Sequence, residues 1–218
     1  MKILSHRGYW KTLREQNTVV AFDKSFRLGY GVETDIRDYN GSLVIDHDLP
    51  NNQSILALSF FETLVEVDSS LPVAINIKSD GLQKLLKTSL ESLKINNYFL
   101  FDMSVPDAVN SINHGLRVFT RQSEFETKPS FYDQASGVWI DSFNDDTWID
   151  ESLISTHLNH GKSICLVSPE LHKRSYIKFW ERIKRFNIKN SGDILLCTDL
   201  PDEAARFFNH EKDQSCNI

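Results

Sequence analysis

Cysteine is scarce in this chain: of 218 residues only Cys165, Cys197 and Cys216 carry a thiol. They are odd in number, far apart and form no C-x-x-C pair, which excludes a disulfide framework and a thiolate zinc knuckle. Cys165 and Cys197 sit inside apolar runs, where buried free thiols are expected. That pattern suits a reducing compartment. No apolar run approaches the roughly 18 residues that a membrane-spanning helix needs. The stretch from Met1 to His6 is too short for a secretory h-region, so a cytoplasmic protein is the expectation. Basic residues form no sustained stripe; 24 Lys and Arg face 30 Asp and Glu, a net charge of −6. Nucleic acid is therefore excluded as a partner. G-x-G-x-x-G and Walker loops are absent, which removes the usual nucleotide cradles. No linker, repeat or low-complexity tract interrupts the chain. One domain over 1–210 is expected, followed by a polar tail at 211–218.

Short runs rich in β-branched or aromatic residues recur at 3–6, 32–36, 43–46, 73–77, 98–102, 117–120, 138–141, 164–167 and 194–197. Amphipathic stretches at 18–28, 81–94, 106–113, 148–159, 175–186 and 202–209 lie between most of them. Strand alternating with helix argues for βαβ units and a parallel sheet. The runs at 32–36 and 43–46 are too close for a parallel crossover, which takes about a dozen residues. The second is therefore an excursion, and eight strands remain for a (β/α)8 TIM barrel. An open doubly wound sheet is the alternative.

In a barrel, residues at the C-terminal ends of strands face the mouth. His6, Arg7 and Gly8 close the first strand, Glu33 and Asp35 the second, and His47 and Asp48 the excursion. Asn76 and Lys78 close the next. Glu33 and Asp35, two apart on a strand, share a face, as do Asn76 and Lys78. Paired carboxylates call for a neutralising partner, and hard oxygen ligands suit Mg2+ or Ca2+. Two histidines add acid–base capacity near neutrality. Arg7 and Lys78 offer cations for a phosphate.

The ordered set His6-Arg7-Gly8, Gln16-Asn17-Thr18, Ala21-Phe22, Gly29, Glu33-Thr34-Asp35, Gly41 and Val44-Ile45-Asp46-His47-Asp48 resembles the opening pattern of the glycerophosphodiester phosphodiesterase family. Ile75-Asn76-Ile77-Lys78 looks like its later E-I-K strand, and Thr198-Asp199-Leu200-Pro201 like its closing T-D-x-P turn. The resemblance implies a TIM barrel of the phospholipase-C-like phosphodiesterase type that cleaves phosphodiesters with a divalent metal. It implies His6 and His47 as the acid–base pair, Glu33, Asp35 and Asn76 as metal ligands, and Arg7 and Lys78 as phosphate binders. The implied partner is a small phosphodiester.

Three departures stand out. Gln16 replaces a glutamate, although Glu15 precedes it. Asn76 stands where the family has a third metal-binding carboxylate; Asp141 or Glu170 could compensate. The family's small lobe between the excursion and the next strand is missing from 48–77, which should open the site to a bulkier diester within a glycan or lipid head group. Two other readings accompany hydrolysis: a transfer that leaves a cyclic phosphate, and a barrel that binds phosphodiesters without cleaving them. Among the remaining residues, Trp139 and Trp148 are expected to pack and His114 to cap a helix. His157, His160 and His210 are expected on helix surfaces. The basic cluster at 173–189 reads as the wet face of a helix, and Arg121 at a strand end as either a contact for an anionic substrate or one half of a rim salt bridge.

Overall fold

The computed structural model describes residues 1–188 and 191–209. The expected tail at 211–218, with Cys216, and His210 lie outside the described residues. Eight parallel strands form the barrel: β1 (Lys2–His6), β2 (Gly31–Tyr39), β5 (Val73–Ile77), β6 (Tyr98–Phe101), β7 (Phe119–Gln122), β8 (Gly137–Ile140), β9 (Ser163–Val167) and β10 (Ile194–Thr198). β10 pairs back onto β1, with Leu4 opposite Cys197. The excursion is real: β3 (Ser42–Ile45) runs antiparallel to β2, with Ile36 opposite Ile45. β4 (Ile55–Leu56) then pairs antiparallel with β3. Glu33 and Asp35 therefore lie within a strand that continues past the barrel into a hairpin, rather than at its end.

Seven parallel ladders run round the barrel, and the β6–β7 seam carries one isolated parallel bridge, Leu100 with Val118. The seam explains why the strand expected at 117–120 is assigned two residues later. Stacked rings do there what ladder bonds do elsewhere. Phe99 of β6 stacks on Phe119 of β7 with centroids 3.8 Å apart, and Phe101 stacks on Trp139 of β8 at the same distance. Such pairs add about 0.5–1.5 kcal/mol each beyond simple burial.

Helices α1 (Val19–Arg27), α2 (Ala57–Asp68), α3 (Gln83–Ser92), α4 (Val105–Asn113), α5 (Glu151–Asn159), α6 (Ile177–Lys184) and α7 (Pro201–Asn209) wrap the outside. α2 is absent from the expected elements. Its apolar residues crowd nearly all round, yet Ala57, Phe60, Phe61 and Leu64 keep the i, i+3, i+4, i+7 stripe and are buried. Phe60 meets Phe22 of α1 edge-on at 4.7 Å. The crossover from β7 to β8 has no α-helix. The expected wet face is only partly one: α6 buries Phe179, Trp180 and Ile183 and exposes Lys178 and Lys184, but Arg182, with Arg174 before the helix, is half-buried and pairs with Asp146. Lys189 lies outside the described residues. Trp139 is buried in the barrel interior, Trp148 packs at the edge of the outer core, and His114 is the C-cap of α4 before Gly115.

His157 corrects its expected surface position. It lies on the inner face of α5, three residues after Ile154, and both are buried. The helix-free crossover brings Tyr132 over it. The Tyr132 hydroxyl lies 2.8 Å from His157 Nδ1, and His157 Nε2 lies 2.8 Å from Gln122 Oε1. A carboxamide oxygen only accepts, so Nε2 carries the proton. Burial, followed by the neighbouring His160, pushes His157 down to about 4. His160 itself is exposed, as expected. The fold thus holds His157 neutral where the unfolded chain would protonate it, near 6.5. Stability linked to this group is complete above that value and drains away as pH falls toward about 4. Thermal melts of wild type and His157→Gln should therefore differ in pH dependence between these values, with wild type falling more steeply. Parallel profiles would show that His157 is not held neutral.

Candidate active site at the barrel mouth

Alternation along the strands decides what faces inward. Leu4, Ala74, Phe119, Trp139 and Cys197 fill the barrel interior. Two residues further toward the mouth on the same strands come His6, Asn76, Arg121, Asp141 and Asp199. Glu33 and Asp35 share the inward parity of β2, and Lys78 follows Asn76. The apolar plug thus carries a ring of ionisable groups on its upper side.

Asp35 is the centre of the ring and is buried. Arg7 Nε lies 3.2 Å from Oδ2, Lys78 Nζ lies 3.3 Å from Oδ1, and Asn17 Nδ2 donates to Oδ2 at 2.9 Å. Burial alone would raise its pKa; the charges of Lys78 and Arg7 and the Asn17 bond prevail and hold it below the usual carboxylate range. Thr34 fixes Asn17 through a hydroxyl bond to Oδ1 at 2.9 Å.

The Arg7 backbone is shaped for this task. Its φ of 57° is left-handed, a conformation that costs a non-glycine residue about 1 kcal/mol or more. The strain is held from both sides: Arg7 N–H donates to Glu33 O at 2.8 Å, and Asn17 N–H donates to Arg7 O at 2.9 Å. Gly8 follows at φ 86°, where a Cβ would stand 2.9 Å from Ala21 of α1. Only glycine lets the loop sit this close to the helix.

His6 is held at its other nitrogen. Its Nδ1 lies 2.7 Å from Asp199 Oδ1, and Nε2 lies 3.8 Å from Glu33 Oε2. Burial would lower the imidazole's pKa, but the Asp199 bond, helped by the charges of Glu33 and Asp199, raises it above its ordinary value. Burial, then the charge of Asp35, pushes Glu33 up to about 7. His6 and Glu33 are therefore electrostatically linked, the carboxylate favouring the charged imidazole and the imidazolium opposing the rise at Glu33. Asp199 is held in turn by its backbone N–H, which donates to Glu170 Oε1 at 3.2 Å.

Six of the seven residues expected in the site, His6, Arg7, Glu33, Asp35, Asn76 and Lys78, come together here. The seventh, His47, stands on the excursion with a side chain 46% exposed and Nδ1 2.9 Å from Asp48 Oδ1. Arg37 ties that excursion to the ring by donating to Lys78 O at 3.0 Å and His47 O at 3.1 Å. A cavity of about 340 Å3 between the β1–α1 loop and the excursion, lined by Arg7, Gln16, Asn17 and His47, opens to solvent beside the ring. Gln16 keeps a polar role, accepting from Arg7 Nη1 at 3.4 Å. Asp141 and Glu170 do not stand in for a third acid beside Glu33 and Asp35: Asp141 bonds His172 at 2.6 Å, and Glu170 bonds Thr198.

Whether the residues suit a metal is decided by two orphaned oxygens. Glu33 Oε2 and Asn76 Oδ1 are buried without a hydrogen-bond partner, and Asn76 sits beside Asp35 in register. Asn76 Nδ2 donates to Asp102 Oδ2 at 3.3 Å, which leaves its oxygen free. Two carboxylates and an amide oxygen are hard donors that fit Mg2+ or Ca2+. Among the described residues no group of three His, Cys, Asp or Glu is arranged for a metal.

Sequence reading did not assign Asp199 a role, although its inward parity at a strand end was a usable signal. Asp102 and Arg37 were also missed, because their partners come from other strands.

The fold and the ring together define a (β/α)8 barrel with a histidine–carboxylate and two-cation mouth. Searches with family models and against curated proteins find no match to the sequence. Solved structures do match in shape. A glycerophosphodiester phosphodiesterase from Parabacteroides distasonis superposes with a TM-score of 0.69 at 15% identity, covering 96% of this chain and 97% of that one. One from Agrobacterium tumefaciens gives 0.66 at 16%, covering 96% and 99%. An Oleispira antarctica phosphodiesterase in complex with the product sn-glycerol-3-phosphate gives 0.65 at 14%, covering 96% and 97%. At such identity the likeness establishes the fold, and chemistry has to be argued from the site.

Asp199→Asn should leave the fold intact and lower the His6 titration midpoint, read by NMR. An unmoved midpoint would show that Asp199 does not set the state of His6.

Proposed function

We propose that this barrel is a metal-dependent phosphodiesterase acting on a small phosphodiester, glycerophosphodiester-like or part of a glycan or lipid head group. The observation that carries the reading is the convergence of Arg7 and Lys78 on the two oxygens of buried Asp35, beside a histidine held by Asp199. Two fixed cations at an open mouth offer charge-assisted bonds to the non-bridging oxygens of a phosphate. Because the ring already orders them, little reorganisation is needed as charge builds on those oxygens.

His6 and His47 are the acid–base pair. One accepts the proton of the attacking water or hydroxyl, and the other protonates the departing alkoxide. Asp199 holds His6 Nδ1, so Nε2 is the atom that exchanges protons, with Glu33 as its neighbour. His47, on the tethered excursion, approaches the diester from the rim. Glu33, Asp35 and Asn76 would hold Mg2+ or Ca2+, which supplies neutralisation of the phosphoryl oxygens when bound.

With a chromogenic diester, His6→Ala and His47→Ala should each lower turnover by about 10²–10⁴-fold, the usual size of acid–base contributions, with circular dichroism unchanged. Near wild-type rates in either variant would remove that residue from the mechanism. Asn76→Asp should tighten Mg2+ or Ca2+ binding in a direct calorimetric titration; an unchanged affinity would exclude Asn76 as a ligand.

A further inference from the structure

The mouth carries a second histidine–aspartate dyad, which the acid–base chemistry of His6 and His47 does not use. His172 Nε2 lies 2.6 Å from Asp141 Oδ1. A carboxylate only accepts, so Nε2 carries the proton and the neutral ring keeps its lone pair at Nδ1. His6 is held at the opposite nitrogen, its Nδ1 lying 2.7 Å from Asp199. The two dyads are alike in depth: the side chains of His172 and Asp141 are 24% and 12% exposed, those of His6 and Asp199 18% and 21%. Among the described residues neither His172 Nδ1 nor Asp141 Oδ2 has a partner.

The imidazole is ordered from several elements. It ends the short turn Pro169–His172 that follows β9. Pro169 is buried, Leu171 packs on the barrel interior, and Glu170 bonds the Thr198 hydroxyl and the Asp199 N–H. One turn thus braces both dyads, Glu170 reaching the aspartate that holds His6 and His172 reaching Asp141. The Phe143 ring lies 5.0 Å from the imidazole. The Glu124 carboxylate fixes that segment by accepting from the backbone N–H groups of Phe143, Asn144 and Asp145. A side chain held this way loses little rotamer freedom when a ligand arrives.

Round the barrel the strands run β1, β2, β5, β6, β7, β8, β9 and β10. In that order β8 stands opposite β2, and β9 opposite β5. Arg7 and Lys78 gather on Asp35 of β2, so Asp141 and His172 face them across the mouth. A diester carries an arm on either side of phosphorus. With the phosphate on Arg7 and Lys78, one arm has the cavity beside His47 and the other spans the mouth to His172. On the way it passes Asp102 and Arg121, which bond each other. A hydroxyl suits His172 in either state, donating to Nδ1 of the neutral ring or accepting from the charged one. An ammonium is repelled by the charged ring, and an alkyl chain offers no bond to either open acceptor.

We infer that His172 and Asp141 form the subsite for one alcohol arm of the diester and select an arm with a free hydroxyl. This rests on the phosphodiesterase reading and assigns the residues that choose its alcohol. The contact orients the arm and transfers no proton.

Calorimetric titration of the full chain, with Mg2+ added, tests this with glycerol phosphate, propyl phosphate and ethanolamine phosphate. The first two differ only in hydroxyls. Wild type should bind glycerol phosphate at least about tenfold more tightly than propyl phosphate, as expected of hydrogen bonds to a charged pair. His172→Ala should bring that ratio close to one, and Asp141→Asn should lower it by releasing the ring. His172→Asn, which keeps an acceptor near the place of Nδ1, should retain part of the preference. No preference in wild type, a preference kept in both His172→Ala and Asp141→Asn, or ethanolamine phosphate bound more tightly than glycerol phosphate would each overturn the subsite. A preference lost in the variants, with no diester cleaved by wild type, would support the subsite and overturn only the catalytic reading.

Discussion

Two carboxylates buried two residues apart on one strand are the constraint to which the mouth of this barrel is fitted. Removing an ion from water carries an effective penalty of several kcal/mol, and a second like charge nearby adds to it. The chain meets the difficulty differently at each position. Asp35 is kept ionised by Arg7, Lys78 and Asn17. Glu33 is pushed toward its protonated form and faces a histidine. Two carboxylates on one strand thus acquire opposite tendencies, one held as an anion and the other pushed toward its protonated form.

Much of the surrounding backbone follows from the first of these solutions. To reach Asp35, Arg7 turns left-handed directly after β1, and bonds to Glu33 and Asn17 hold it there. The turn drives the next residue against Ala21, so that position must be glycine. Lys78 reaches the other oxygen because its strand lies in register beside β2. Arg37, two residues past Asp35, then bonds the carbonyls of Lys78 and His47. His47 on the excursion is thereby tied to the cation that pairs with the anion.

The barrel was legible in the sequence because the strand runs are short and apolar, because most are followed by a helical pattern, and because the excursion was too close to β2 to be a crossover. Four residues of the ring were legible because alternation on a strand is rigid: parity fixes the facing of Glu33 and Asp35, and of Asn76 and Lys78, without knowledge of neighbours. What escaped depends on contacts between distant segments. His157 sits on a helix whose exposure is decided by a crossover lacking its own helix, and Tyr132 comes from that crossover. Asp199 acquires meaning only when β10 closes onto β1 and brings it to His6. α2 was hidden by its excess of apolar residues, which blurred the stripe that Phe60, Phe61 and Leu64 define.

The amide at position 76 changes the electrostatics of the site more than its donor set. A carboxylate there would be a third buried acid beside Glu33 and Asp35, with Arg7 and Lys78 already committed to Asp35. An amide adds no charge and divides its two ends between neighbours. Its nitrogen donates to Asp102, itself paired with Arg121, so the negative charge is carried one strand further round and has its own cation. Its oxygen stays buried and unpartnered, and a buried acceptor left open is costly unless something occupies it. The same oxygen lies on the residue registered with Asp35, the most heavily paired anion of the mouth. The position therefore keeps a hard donor while relieving the repulsion that a third acid would impose on the other two.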